Sequence, residues 1–110
     1  MTTKQSTVDF ILDQVSALPS VRTYKMFGDY ALYCNEKVVG LICDDDLFIK
    51  ITEPGKTFVG DTYEEGIPYK GAKPYMLITD QLDDPEWLCK LLTITAHVLP
   101  LPKPKKKFKK

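Results

Sequence analysis

Between Tyr30 and Ile51 the chain reads as three short apolar runs, Tyr30 to Cys34, Val38 to Cys43 and Leu47 to Ile51. The gaps that separate them, Asn35-Glu36-Lys37 and Asp44-Asp45-Asp46, are too short for anything but hairpins. Each run is rich in β-branched and aromatic residues, so the segment predicts an antiparallel meander. In its third strand Leu47, Ile49 and Ile51 alternate with Phe48 and Lys50, giving one fully apolar face and one that carries charge. Gly40 interrupts the second strand, where a glycine marks a bulge or the close approach of another backbone.

The flanking segments supply what must cover that apolar face. Val8, Ile11, Leu12, Val15 and Leu18 recur at steps of three and four, which predicts a first helix starting near Ser6 or Thr7 as cap, with Asp9 placed for the helix dipole and Pro19 and Ser20 as the stop. This helix is expected to lie on the apolar face of the meander. Val21 to Phe27 reads as an edge strand or an extended lead-in, followed by turn chemistry at Gly28 and Asp29. Pro54 and Gly55 break the chain, and Lys56 to Tyr63 supports only a helical turn. Ile67 to Lys70 and Tyr75 to Thr79 are two further strand candidates in a loop-rich middle region.

Asp84, Pro85 and Glu86 give a strong helix start. The last helix presents Trp87, Leu88, Leu91, Leu92, Thr95 and Val98 as its stripe and ends by Pro100. The order is that of an α+β two-layer sandwich, α-β(3)-(α)-β(2)-α, with a mainly antiparallel sheet of about five strands. At 110 residues the chain suits one domain, expected over 1–102, with a disordered basic tail over 103–110.

Charge is distributed unevenly. Six of the 15 basic residues are Lys103, Lys105, Lys106, Lys107, Lys109 and Lys110, so nine remain against 15 acids in residues 1–102. An acidic body therefore carries a solvated basic tail. The longest apolar runs fall far short of the roughly 20 residues that cross a bilayer, and the first residues carry no apolar stretch of a secretory signal, so a cytoplasmic protein without a membrane partner is expected.

Cys34, Cys43 and Cys89 are odd in number and lack C-x-x-C spacing, which reads as buried thiols. His97 has no partner at any motif spacing and reads as a helix-surface residue. Asp44 to Asp46 lack the glycine and downstream glutamate of a calcium loop, and Gly55-Lys56-Thr57 lacks the upstream glycine of a phosphate loop. No catalytic, cofactor or metal constellation assembles from the sequence, so no cofactor is expected. Tyr63, Tyr69 and Tyr75, near Lys70 and Lys73, either close the end of a small core or form an aromatic and basic surface able to stack bases.

The run Lys25-Met26-Phe27-Gly28-Asp29-Tyr30-Ala31-Leu32-Tyr33, then Asp45-Asp46-Leu47-Phe48-Ile49-Lys50, resembles the amino-terminal domain of the TfoX/Sxy competence regulators. Members of that family commonly show R/K-M-F-G-x-Y-G-L-Y followed by an L-Y-L-K strand. Pro68-Tyr69, the strand Tyr75 to Thr79 and Asp83-Asp84-Pro85-Glu86 extend the likeness over most of residues 5–99. Ala31 stands where the family often has glycine. The resemblance implies a stand-alone relative of a regulator of DNA transformation, since the full regulators carry a second, carboxy-terminal domain. It also implies a fold similar to small α+β modules that include secretion chaperones, and no active site.

The function expected is thus a non-enzymatic regulatory or protein-interaction module, with transcription machinery as the candidate partner. The alternative is a nucleic-acid binder using Tyr69, Lys70, Lys73 and the six tail lysines, because lysines on phosphates release counterions and bind without sequence preference. A homodimer is a further expectation, since an open sheet leaves edges to be covered.

Overall fold

The computed structural model describes residues 3–26 and 28–100. Helix α1 (Gln5–Gln14) leads into an antiparallel meander of β1 (Val21–Met26), β2 (Asp29–Cys34), β3 (Lys37–Cys43) and β4 (Asp46–Ile49). Helix α2 (Glu53–Val59) and a 3₁₀ turn at Gly60–Thr62 follow, then β5 (Glu65–Gly66), β6 (Tyr75–Ile78) and α3 (Pro85–Val98). The strands form one open sheet in the order β1-β2-β3-β4-β6-β5, with every neighbouring pair antiparallel. The α+β two-layer reading holds, with six strands in the sheet where about five were expected.

Both hairpin turns at the centre are tighter than the three-residue gaps predicted. Asn35 and Glu36, and Asp44 and Asp45, all have positive φ, the requirement of a two-residue type I′ turn, whose twist matches that of the flanking strands. Gly40 does both things a strand glycine can signal. The β2–β3 register shifts beside it, leaving Val39 bulged between Val38, opposite Tyr33, and Gly40, opposite Leu32. A Cβ on Gly40 would also run into the carbonyl oxygen of Phe48 on the next strand.

The main core lies between the sheet and the helices. Leu32, Ile42, Leu47, Ile49, Met76 and Ile78 of the sheet meet Val8, Ile11 and Val15 from the first helical segment and Leu88, Leu91, Leu92 and Ala96 from α3. The apolar face is covered by α1 and α3 jointly. Phe58 of α2 stacks against Trp87 with centroids 5.4 Å apart, tying the shorter helix to α3.

Several boundaries differ from the sequence expectation for local reasons. Helix α1 begins at Gln5 with Lys4 as its cap residue, and Ser6 and Thr7 lie inside it, so neither is the cap. Asp9 consequently falls beyond the first turn. The helix ends at Gln14, because Val15 leaves helical geometry and a chain of turns carries Val15 and Leu18 to the core. Pro54 and Gly55 lie inside α2, where Thr52 Oγ1 accepts from the Gly55 amide and proline occupies a first-turn position that needs no amide donor.

The strand expected at Ile67 to Lys70 is displaced to Glu65–Gly66. Pro68 cannot donate to a ladder, and the Leu77 amide instead reaches back to the Glu64 carbonyl. Asp84 and Pro85 start α3 as predicted, with Asp84 Oδ1 accepting from the Trp87 amide at 3.2 Å. Its stripe differs at one end, where Ala96 is buried and Val98 exposed. Lys37 closes the other end of the arrangement by donating from Nζ to the Ala96 carbonyl at 2.7 Å, satisfying one of the orphan acceptors of the last helical turn.

Candidate functional site

Strand alternation sends one residue in two away from the helices, and in the middle of this sheet those residues are apolar. Ala31, Leu41, Cys43 and Phe48 form a second buried cluster on the helix-free side, flanked by Tyr33, Tyr75 and Leu77. The connection between β5 and β6 runs over this side. Pro68 is buried, and Tyr69 lines a cavity of about 410 Å³ together with Met26, Asp29, Tyr30, Leu41 and Cys43. Of the six large apolar side chains exposed among the described residues, Met26 at 38% and Tyr69 at 57% line it, and Tyr24 at 58% lies on the same face opposite Ala31. Isolated exposed apolar residues are ordinary, whereas several gathered on one face mark a contact surface.

Acidic groups rim the same end of the strands. Asp29 belongs to the cavity wall, Asp44 and Asp45 form the adjoining β3–β4 turn, and Asp46 opens β4. Two of these carboxylates anchor the amino-terminal segment. Asp45 Oδ1 accepts from the Lys4 amide at 2.8 Å and from Thr7 Oγ1 at 2.9 Å, and Asp29 Oδ1 accepts from Thr3 Oγ1 at 2.9 Å and from the Asp44 amide at 3.2 Å. The Lys4 amide, then the Thr7 hydroxyl, hold the Asp45 carboxyl below its ordinary range. Asp46 moves the other way, raised first by burial and then by Asp44 and Asp45.

The signature residues act on the same junction. Gly28 takes a positive φ of 88° in the β1–β2 turn and its carbonyl accepts from the Thr3 amide at 3.0 Å, while Tyr30 donates its hydroxyl to Gln5 Oε1 at 3.0 Å. Phe27 lies outside the described residues.

Cys43 sits in the cavity wall, yet its thiol is pushed up to about 11, chiefly by burial and then by Asp29 and Asp44. It is held as the neutral thiol at neutral pH, the opposite of what a nucleophilic cysteine needs. Burial also raises Cys34 and Cys89, and all three cysteines are free. Cys34 belongs to the helix-side core and Cys43 to the other, so the sheet itself separates them.

The expected tyrosine surface is divided by the sheet. Tyr69 and Tyr75 share the helix-free side, and the Tyr75 hydroxyl is raised by burial and then by Tyr69 and Cys43 nearby. Tyr63 packs on the helix-side core, donates to Glu65 Oε2 at 2.6 Å and carries the Lys56 ammonium 5.1 Å from its ring centre. Lys70 and Lys73 are exposed, and Lys73 lines a shallow cleft with Lys50, Tyr75 and Leu99. Lys103, Lys105, Lys106, Lys107, Lys109 and Lys110 lie outside the described residues.

The sequence reading missed Tyr24, Met26 and Asp29. For the first two a signal existed, since Arg22, Tyr24 and Met26 alternate with Val21, Thr23 and Lys25, and Val21 packs on the helix-side core. His97 is exposed on α3, as expected. Gly55, Lys56 and Thr57 form a turn of α2 rather than a phosphate loop. No group of three or more metal-capable side chains clusters among the described residues.

These features define a class: a small α+β module with helices on one side of an open sheet and, on the other, an apolar groove with an acidic rim. The TfoX N-terminal domain family profile matches residues 13–98, and the chain belongs to that family. It is also 42% identical over 106 residues to an uncharacterized 12.7 kDa protein in the trpE 5′ region of Spirochaeta aurantia, covering 96% of this chain and 91% of the relative. No helix among the described residues is long and apolar enough to cross a membrane.

Proposed function

We propose that this chain is a non-enzymatic regulatory module that acts in the cytoplasm by presenting the groove of its helix-free face to a protein partner, with transcription machinery as the partner class. The observation that carries this reading is one apolar cavity on the helix-free face whose wall includes the exposed Met26 and Tyr69, with Tyr24 exposed on the same face opposite Ala31. Tyrosine is enriched among the residues that dominate binding energy, and apolar centres with polar rims are the anatomy of protein interfaces. Membership of a family that includes competence regulators supplies the regulatory sense.

The test is capture of partners from extract of the native cell with the full-length chain and with the Tyr24→Ser/Tyr69→Ser variant. Partners enriched by the first and lost with the second support the reading. Equal capture by both contradicts it.

Nucleic-acid binding through Tyr69, Lys70, Lys73 and the six tail lysines is the second reading. The exposed Lys73, in a cleft with Tyr75 and Lys50, favours it. It requires affinity for a single-stranded oligonucleotide that falls steeply with salt and disappears when the six tail lysines are changed to glutamine.

A further inference from the structure

We propose that the groove is a recognition site for a basic segment with an aromatic anchor, and that its occupant is the carboxy-terminal segment Lys105–Lys110 of the same chain, with Phe108 seated in the cavity. The inference rests on the groove being the interaction surface, and it adds a built-in competitor for that surface.

Three observations carry it. The cavity suits a ring: its wall combines Met26, Leu41, Cys43 and Tyr69, and its volume of about 410 Å³ lies within the range of sites that bury drug-sized ligands. Its rim suits cations: Asp29 is in the wall, and the exposed Asp44 and Asp46 flank the adjoining turn. The sequence Lys105-Lys106-Lys107-Phe108-Lys109-Lys110 is one aromatic residue bracketed by five lysines, the complement of that chemistry.

The route is short enough. Leu99 and Pro100 lie beside Tyr33, Val38 and Lys50, at the ends of β2, β3 and β4 opposite Asp29 and the Asp44–Asp46 turn. Four strand residues separate Tyr33 from Asp29, about 13 Å at the rise of a β-strand. The eight residues from Pro100 to Phe108 allow a reach of about 25 Å at the polyproline rise. Charge gives the direction. At the exit end of the strands Arg22 is paired with Glu36, leaving Lys37, Lys50 and Lys73, and the aspartates stand at the far end, so a polycation is repelled from the first and drawn to the second.

Regulation follows from mass action. A partner that uses the groove must displace the segment, so its apparent affinity falls by the fraction of molecules in which the segment is docked. Modification or neutralisation of the lysines would release the surface.

The test uses the full-length chain with ¹³C-methyl methionine, of which there are three residues. Met26 lines the cavity and Met76 is fully buried in the helix-side core, so the second reports that the fold is intact. The proposal expects a nuclear Overhauser contact between the Phe108 ring and the Met26 methyl. It also expects a shift of the Met26 resonance, but not of Met76, in Phe108→Ala, and the same displacement in wild type as salt is raised to about 1 M, where screening leaves a Debye length near 3 Å.

Absence of the contact together with an unmoved Met26 overturns the proposal. A contact that disappears on dilution overturns the same-chain form and assigns the segment to a second copy. Loss of partner capture by the groove variant, measured separately, bears only on the interaction reading. A Phe108 contact without any groove partner would leave the docking standing and that reading defeated.

Discussion

Gly40→Ala probes the joint on which the two faces of the sheet depend. The added Cβ would collide with the Phe48 carbonyl oxygen and come within 2.9 Å of Ile49 Cδ1 and 3.2 Å of Ile49 Cα. A side-chain methyl can turn away, but a carbonyl in a β-ladder cannot, so relief requires β4 to move away from β3. Forced repacking costs about 1–3 kcal/mol. Each weakened ladder hydrogen bond adds about 1 kcal/mol. The expected loss is thus about 3 kcal/mol.

Urea unfolding followed by far-ultraviolet circular dichroism reads this loss directly. With an m-value of about 1–1.5 kcal/mol/M for a chain of this size, the midpoint should fall by roughly 2–3 M. Gly71→Ala is the control. It introduces strain at a φ of 89° but meets no atom within 4 Å, so it should cost only about 1–2 kcal/mol. If Gly40→Ala unfolded within about 0.5 kcal/mol of wild type, or cost no more than Gly71→Ala, the reasoning from β3–β4 contact would be refuted.

Other outcomes follow from the core and the ionisable groups. Leu91→Ala, at a position with no solvent exposure, should cost about 2–5 kcal/mol in the same assay, and a loss under 1 kcal/mol would place Leu91 outside the core. Lys37→Met keeps the aliphatic stem but leaves the Ala96 carbonyl without its cation; about 1–2 kcal/mol should be lost, with faster amide exchange in the last turn of α3. Cys43 rises from an ordinary 9.0 to about 11, so at pH 8 its thiolate fraction is about 100-fold below that of the unfolded chain. Iodoacetamide should therefore modify native Cys43 at least that much more slowly, as followed by peptide mass spectrometry, and a native rate within tenfold of the unfolded one contradicts the burial. Because the folded value is the higher one, this group's contribution to stability is whole below pH 9 and is lost as the pH rises towards 11.

What could be read from residues alone was what burial writes into them. Strands β2, β3 and β4 were legible because their central residues are apolar and buried and the turn residues between them accept positive φ. The edge strand β1 was ambiguous because most of its residues are exposed and only its pairing with β2 makes it a strand. Helix α1 was overextended, since Val15 and Leu18 keep a helical period while the chain that carries them has already turned. Pro54 and Gly55 were read as breakers because proline is neutral only in a first turn, and the start at Glu53 depends on the Thr52 cap.

The site was half legible for a topological reason. Tyr63, Tyr69 and Tyr75 lie within 13 positions, yet the first precedes the β5–β6 connection and points to the helices, while the others lie beneath and within the crossing loop. Met26, from β1, meets Tyr69 in the cavity wall from the other side of the sheet order, a proximity that no local pattern records.

The groove as interaction surface is tested most directly by the affinity of a captured partner for three forms of the full-length chain. These are wild type, Tyr24→Ser/Tyr69→Ser on the groove's face of the sheet, and Phe10→Ser/Val98→Ser, which removes two helix side chains each 44% exposed. Truncating an interface anchor costs about 2 kcal/mol, so the groove variant should bind roughly 30-fold more weakly or worse, and the other should match wild type. Weakening by Phe10→Ser/Val98→Ser with full affinity in the groove variant would contradict the account.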